Sequence, residues 1–164
     1  MHKLLRRAPA LVALTGVVTF AGAAGASAQA PTTPVQVPIR VLRNPDGEAV
    51  ALVQVTVSGQ ALTFVVDTGA SESVISRRAA RALHLPKAGR RTTTLSAGGR
   101  GVSQPVTVST WQVGTVTLTP RKIASVQLGL ARDIGAFGLL GSDVLSSFGK
   151  VSIDYAHGVM TLGG

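Results

Sequence analysis

An aspartate at position 67 ends the apolar run Phe64-Val65-Val66 and opens the stretch Asp67-Thr68-Gly69-Ala70-Ser71. Acidic residues are scarce in this chain, 7 Asp and Glu against 16 Lys and Arg. A carboxylate set behind a β-branched run is expected to be buried, and a buried lone carboxylate is costly unless it is paired, protonated or used. General acid or base chemistry is the use that such a group suits. Thr68 offers a hydroxyl to a tight turn, Gly69 permits close backbone approach, and Ala70 leaves the surroundings uncrowded. The plain alternative is a strand-ending aspartate that caps a turn. A second stretch, Phe137-Gly138-Leu139-Leu140-Gly141, sets an apolar pair between glycines directly before a helix-like segment. The chain has no cysteine, which excludes disulfides, thiolate metal sites and Cys nucleophiles. His84 and His157 lack partners at ligand spacing, and no phosphate loop or calcium loop is present. No metal and no cofactor are expected.

The elements that must hold these residues read as short strands. The chain is 45% hydrophobic and 14% charged, which excludes a disordered chain, and its 19 glycines and 8 prolines supply many turns. Residues 49–57 alternate, with Val53, Val55 and Val57 on one face and Gln54 and Thr56 on the other. Ser58-Gly59-Gln60 turns the chain, and residues 61–66 run back as a hairpin partner. Further strands are expected at 74–75, 91–95, 102–112, 115–118, 123–128, 151–155 and 159–162. Two segments break that rhythm: 76–83, with a Ser cap and a stop at Pro86, and 142–148, which ends at Gly149. The class is all-β with one or two short helices, a barrel or a sandwich.

Together these motifs resemble the aspartic proteases, and more narrowly the single-lobe, retropepsin-like type found as exported bacterial proteins. The resemblance rests on Val65-Val66-Asp67-Thr68-Gly69-Ala70, the Val74-Ile75-Ser76 strand, Gly138-Leu139-Leu140-Gly141 with its helix, and the closing hairpin 151–162. It covers roughly residues 45–162. It implies a single-lobe acid-protease barrel and an endopeptidase whose water sits between two aspartates. Since the chain carries one Asp-Thr-Gly, the second aspartate must then be Asp67 of another copy in a homodimer. Thr68, Gly69 and Ala70 would support that loop, and Gly138, Leu139, Leu140 and Gly141 would form the second supporting motif. Ala97, Gly98, Gly99 and Arg100 would form the tip of a substrate-covering flap, an ordinary glycine-rich turn being the alternative. Viral members often carry an acid two residues after the motif glycine and an Arg after the second glycine, which pair near the interface. Here those positions are Ser71 and Ser142. Glu72 and Asp143 read as an exposed turn carboxylate and an exposed helix-cap carboxylate.

The first 28 residues read as an address. Lys3, Arg6 and Arg7 precede the apolar run 11–24, and small residues allow cleavage after Ala28 or Ala30. The run is short for a membrane span, so a cleaved export signal is expected, with an uncleaved anchor as the alternative. The protein is then secreted, or held in the periplasm or cell envelope, and meets a membrane only if that segment stays. Loss of Lys3, Arg6 and Arg7 lowers the net charge from +9 to +6, with no basic block that reads as a nucleic-acid arm. Residues 29–44 read as a linker or N-terminal edge segment, and 45–164 as the protease domain. Arg77, Arg78 and Arg81 read as a solvated face, and Trp111, Phe148 and Tyr155 as core packing. The rival to a protease acting on peptides is a non-catalytic exported β-barrel module that binds a peptide or envelope polymer.

Overall fold

The computed structural model describes residues 33–96, 99–128 and 134–164. The proposed export signal and Ala97 and Gly98 at the expected flap tip lie outside the described residues. The N-terminal half contains β1 (Val35–Arg43), β2 (Ala49–Val57), β3 (Gln60–Val66), β4 (Val74–Ser76) and α1 (Arg77–Ala82). Next come β5 (Thr92–Ser96), β6 (Gly99–Val108), β7 (Trp111–Val113), β8 (Val116–Thr117) and β9 (Arg121–Val126). The chain closes with β10 (Gly138–Leu140), α2 (Ser142–Leu145), a 3-10 turn at Ser146–Phe148, β11 (Val151–Asp154) and β12 (Val159–Leu162). The strands run in the order β11-β12-β1-β2-β3-β10-β4-β9-β6-β5, with β7 on β2 and β8 on β7. Among the described residues no helix is long and apolar enough to cross a membrane.

Local chemistry accounts for most of these elements. Alternation in β2 puts Val53, Val55 and Val57 in the core and leaves Gln54 exposed. Ser58 and Gly59 both take positive φ, 48° and 81°, the conformation that a two-residue turn between twisted strands demands. Ser76 caps α1, its hydroxyl accepting from the Ala79 N–H at 3.1 Å. The main core gathers the buried faces of β2, β3 and β9 around Phe64, Ile75, Leu140, Trp111 and Phe148.

Four expectations need correction. Residues 102–112 are two strands, because the chain turns at Ser109–Thr110 and β7 leaves β9 to pair with β2. The alternation slips phase at this break: Val106 and Val108 are buried, Ser109 and Thr110 are both exposed, and Trp111 and Val113 are buried. The sequence thus carries a mark of the turn that a single strand over 102–112 passes over. Residues 35–43, expected within a linker or edge segment, form β1, which pairs with β12 through Val35–Pro38 and with β2 through Ile39–Arg43. Pro38, lacking an N–H, stands where the strand changes partner. Tyr155 is 41% exposed in the β11–β12 turn rather than in the core. Residues 138–140, expected only as a motif, are the strand β10.

Candidate active site

Strand β10 slots between β3 and β4, parallel to the first and antiparallel to the second. Residues 67–73 join two strands that are neighbours in sequence but separated in the sheet. The loop must therefore pass over the end of β10, where the chain leaves Leu140 for α2. The Asp67 N–H donates to the Leu140 carbonyl at 3.0 Å and anchors the crossing. Glycine is required beneath it. A Cβ on Gly141 would lie 2.8 to 2.9 Å from backbone atoms of Ala70 and Glu72, and one on Gly138 would lie 2.6 Å from the Val74 carbonyl oxygen and closer still to the Phe64 ring.

At the loop's head, one carboxylate oxygen of Asp67 accepts the N–H of Gly69 at 3.0 Å and of Ala70 at 3.1 Å. Among the described residues no donor reaches the other oxygen. Asp67 is half-buried and Thr68 and Gly69 are exposed, so the loop is more open in the single chain than the preceding apolar run suggests. The reason is that Val65 and Val66 are themselves only half-buried. The Thr68 hydroxyl has no partner among the described residues. The Ala70 carbonyl accepts both the N–H and the hydroxyl of Ser142, at 2.8 and 3.0 Å. Gly69 and Ala70 thus hold Asp67, while Gly138, Leu140 and Gly141 support the crossing from below and Leu139 sits half-buried between them.

The loop's other end is held by residues that sequence reasoning did not single out. Ser73, 1% exposed, donates its N–H and its hydroxyl to Asp143 Oδ1 at 2.8 and 2.7 Å. The same hydroxyl accepts the Gly141 N–H at 2.9 Å. Arg121 donates to the Asp143 carbonyl at 2.7 Å and to its Oδ2 at 3.1 Å. The guanidinium lies 5.9 Å from the centroid of the Trp111 ring, a cation–π geometry, and the indole N–H is spent on the Thr119 carbonyl at 2.9 Å. Asp143 is therefore no exposed helix cap. Its side chain is 25% exposed and ties α2 to the loop and to β9. Gly141 occupies the N-cap position without a side-chain cap bond. The sequence signal was slight, an acid in the first turn of a short helix, and its partners lie 70 and 22 residues away.

Strands β5 and β6 form a hairpin that closes at Ser96 and Gly99. The part of β6 nearest the tip, Gly99–Ser103, pairs with β5, and the rest, Gln104–Val108, joins β9 in the sheet body. The hairpin therefore projects as a two-stranded ribbon. Its backbone at Gly99 and Arg100 belongs to that ribbon. No group of three His, Asp or Glu side chains among the described residues converges as a metal site would require.

A family model described as aspartyl protease matches residues 53–144, more than half of the chain. The chain belongs to the aspartyl protease family. The match spans β2 to α2 and so takes in the Asp67 loop, β10 and the Ser73–Asp143 contact of this aspartyl protease domain. Among solved structures, a retropepsin-like aspartic protease from Rickettsia conorii aligns at 24% identity and a TM-score of 0.56, over 79% of this chain and 98% of that one. The EIAV protease complexed with the inhibitor HBY-793 aligns at 21% identity and a TM-score of 0.45, over 63% and 91%. No curated protein sequence matches the chain. The fold of this aspartyl protease is retropepsin-like, mostly strands with very short helices.

Proposed function

We propose that the protein is an exported aspartic endopeptidase that hydrolyses peptide bonds as a homodimer, with Asp67 of each copy facing the other across a two-fold axis. Family membership supports proteolysis in general. The observation that carries the finer reading is Asp67 itself: backbone amides hold one oxygen, and among the described residues no donor reaches the second. Two such carboxylates brought face to face share one proton, because adjacent like charges do not both ionise. The ionised carboxylate takes a proton from a water held between them, and the oxygen attacks the peptide carbonyl carbon. The protonated carboxyl gives its proton to the carbonyl oxygen. Protonation of the amide nitrogen then breaks the C–N bond. Catalysis runs without a covalent intermediate, in keeping with a chain that has no cysteine. The β5–β6 ribbon serves as the flap: the Arg77 guanidinium of α1 holds it at the Val102 carbonyl at 2.9 Å, and a two-stranded ribbon is marginally stable and opens readily. Thr68, exposed and without a hydroxyl partner among the described residues, would bond across the dimer.

The test is peptide cleavage by wild type and Asp67→Asn, with and without a pepstatin-type inhibitor, over a range of protein concentrations. Loss of cleavage in the variant, inhibition of the wild type and a specific activity that rises with concentration are the expected results. The rival binding module is favoured by one observation, Ser71 and Ser142 in place of the ion pair of viral members. Its signature is peptide binding that Asp67→Asn leaves untouched, with no cleavage by either form.

A further inference from the structure

Helix α1 divides its side chains between two faces. Ala79 and Ala80 are buried in the core, whereas Arg78 and Arg81 are exposed and Arg77 is half-buried. Spacings of three and four residues bring these arginines together on one side of the helix. That side is more than a solvated face. The three arginines and Ser76 line a cavity of about 680 Å³, within the range of ligand pockets, about 300–1,000 Å³. Its apolar lining is Val126, Leu128, Ala136 and Phe137. The Ser76 N–H donates to the Phe137 carbonyl at 2.6 Å, and the Phe137 N–H donates to the Thr63 carbonyl at 2.7 Å. Ser76 also pairs with Val126 where β4 meets β9, so the sheet itself fixes the basic and apolar parts relative to one another. Arg77 spends one nitrogen on the Val102 carbonyl. Arg78 and Arg81 have no hydrogen-bond or ion-pair partner among the described residues. No described residue lining the cavity is acidic. Like charges three residues apart on a helix repel one another, and an anion seated between them relieves the repulsion.

We infer that this cavity is an exosite, sharing no residue with the Asp67 loop, that docks an acidic segment of a peptide or protein substrate. A glutamate or aspartate of that segment sits between Arg78 and Arg81, whose planar forks suit a carboxylate. An aliphatic or aromatic neighbour of the acid packs on Val126, Leu128 and Phe137. The pairing of a charged wall with an apolar one favours a peptide over a free anion, which would use the arginines alone. The substrate role rests on the endopeptidase reading above, whereas the docking itself does not. Phe137 directly precedes β10, which leads to Gly141 beneath the Asp67 loop, and Arg77 joins the same wall to the β5–β6 ribbon. A docked segment therefore raises the local concentration of the rest of its chain beside the loop and leaves the chemical step alone. Its kinetic mark is a lower KM at unchanged kcat.

The experiment titrates the full chain calorimetrically with the end-capped peptide Leu-Glu-Phe-Glu-Leu, a pepstatin-type inhibitor being present to fill the active site. The control probes are the same peptide with Gln for Glu, glutarate, and heparin. The acidic peptide should bind at least about ten-fold more tightly than the Gln peptide or glutarate. Arg78→Gln combined with Arg81→Gln should weaken that binding about ten-fold, and Arg78→Glu combined with Arg81→Glu should weaken it further. The neutral pair guards against a charge reversal that fails to fold. Cleavage of unfolded serum albumin, an acidic chain, should then show a KM raised about ten-fold by the neutral pair with kcat unchanged, while a short uncharged peptide is cleaved as by wild type. Equal binding of the two peptides, or binding indifferent to both arginine pairs, overturns the exosite. Glutarate that matches the acidic peptide, or heparin that displaces it from the arginines at lower concentration, overturns the peptide as occupant. Cleavage whose KM ignores the arginines refutes the exosite and spares the endopeptidase reading. Arginine-dependent peptide binding without cleavage of any substrate refutes that reading and spares the docking.

Discussion

Two carboxylates of the same loop crossing are held in opposite ways. Asp67 is bonded by the amides of its own turn, two and three residues ahead. Asp143 is bonded by Ser73 and Arg121, 70 residues and 22 residues away in the chain, in a half-buried setting. One contributes little to holding the fold together, and no donor among the described residues reaches its second oxygen. The other is saturated with donors and joins α2, β9 and the end of the loop. A group meant to meet substrate must stay available, and its position must be enforced by neighbours that are not.

Substitutions at the two positions should separate along that line. The largest effect is expected on cleavage: Asp67→Asn lowers the rate at least about 10³-fold, as loss of an acid–base group does, while unfolding free energy changes by less than about 1 kcal/mol. Asp143→Ala should instead destabilise by about 2–3 kcal/mol, since Ser73 and Arg121 lose their acceptor in a partly shielded site. Asp143→Asn retains an oxygen for Ser73 and should cost about 1 kcal/mol. Urea titrations of the three variants check this, and an Asp143→Ala protein as stable as Asp67→Asn would dissolve the contrast.

Glycines extend the same comparison. Gly138→Ala places a methyl against the buried Phe64 ring and should cost about 1–3 kcal/mol. Gly69→Ala meets its nearest atom at 3.4 Å and should stay within about 0.5 kcal/mol. Thermal denaturation of both tells whether rigidity lies beneath the loop or at its head. The smallest effect concerns Asp154. The His157 backbone N–H, then its ring, hold this carboxyl below the ordinary value of 3.8. A lowered value stabilises the folded state above the ordinary one and loses that contribution as pH falls through the folded value. Wild type should therefore exceed Asp154→Asn slightly in melting temperature near neutrality and converge with it in acid. A gap that persists undiminished under acid conditions would place the effect elsewhere.

The residues themselves disclosed whatever local chemistry encodes. Alternation marked β2, its positive-φ turn and β3, and the Ser76 cap and Pro86 bounded α1. Asp67-Thr68-Gly69 and the paired glycines named the family that the match over residues 53–144 shows. Period-2 alternation is blind to where a strand changes partner, so the double pairing of β1 went unmarked, whereas the break after Val108 shows as a slip of phase between Val108 and Trp111. Only the tertiary structure decided that β10 lies between β3 and β4. That insertion forces the Asp67 loop across Gly141, and its far end onto Asp143, which Arg121 holds in turn. Those bonds join positions far apart in the chain, and their energy exists only once the sheet has brought them together. Motif chemistry is a property of neighbours in sequence, whereas the support beneath it is a property of neighbours in space.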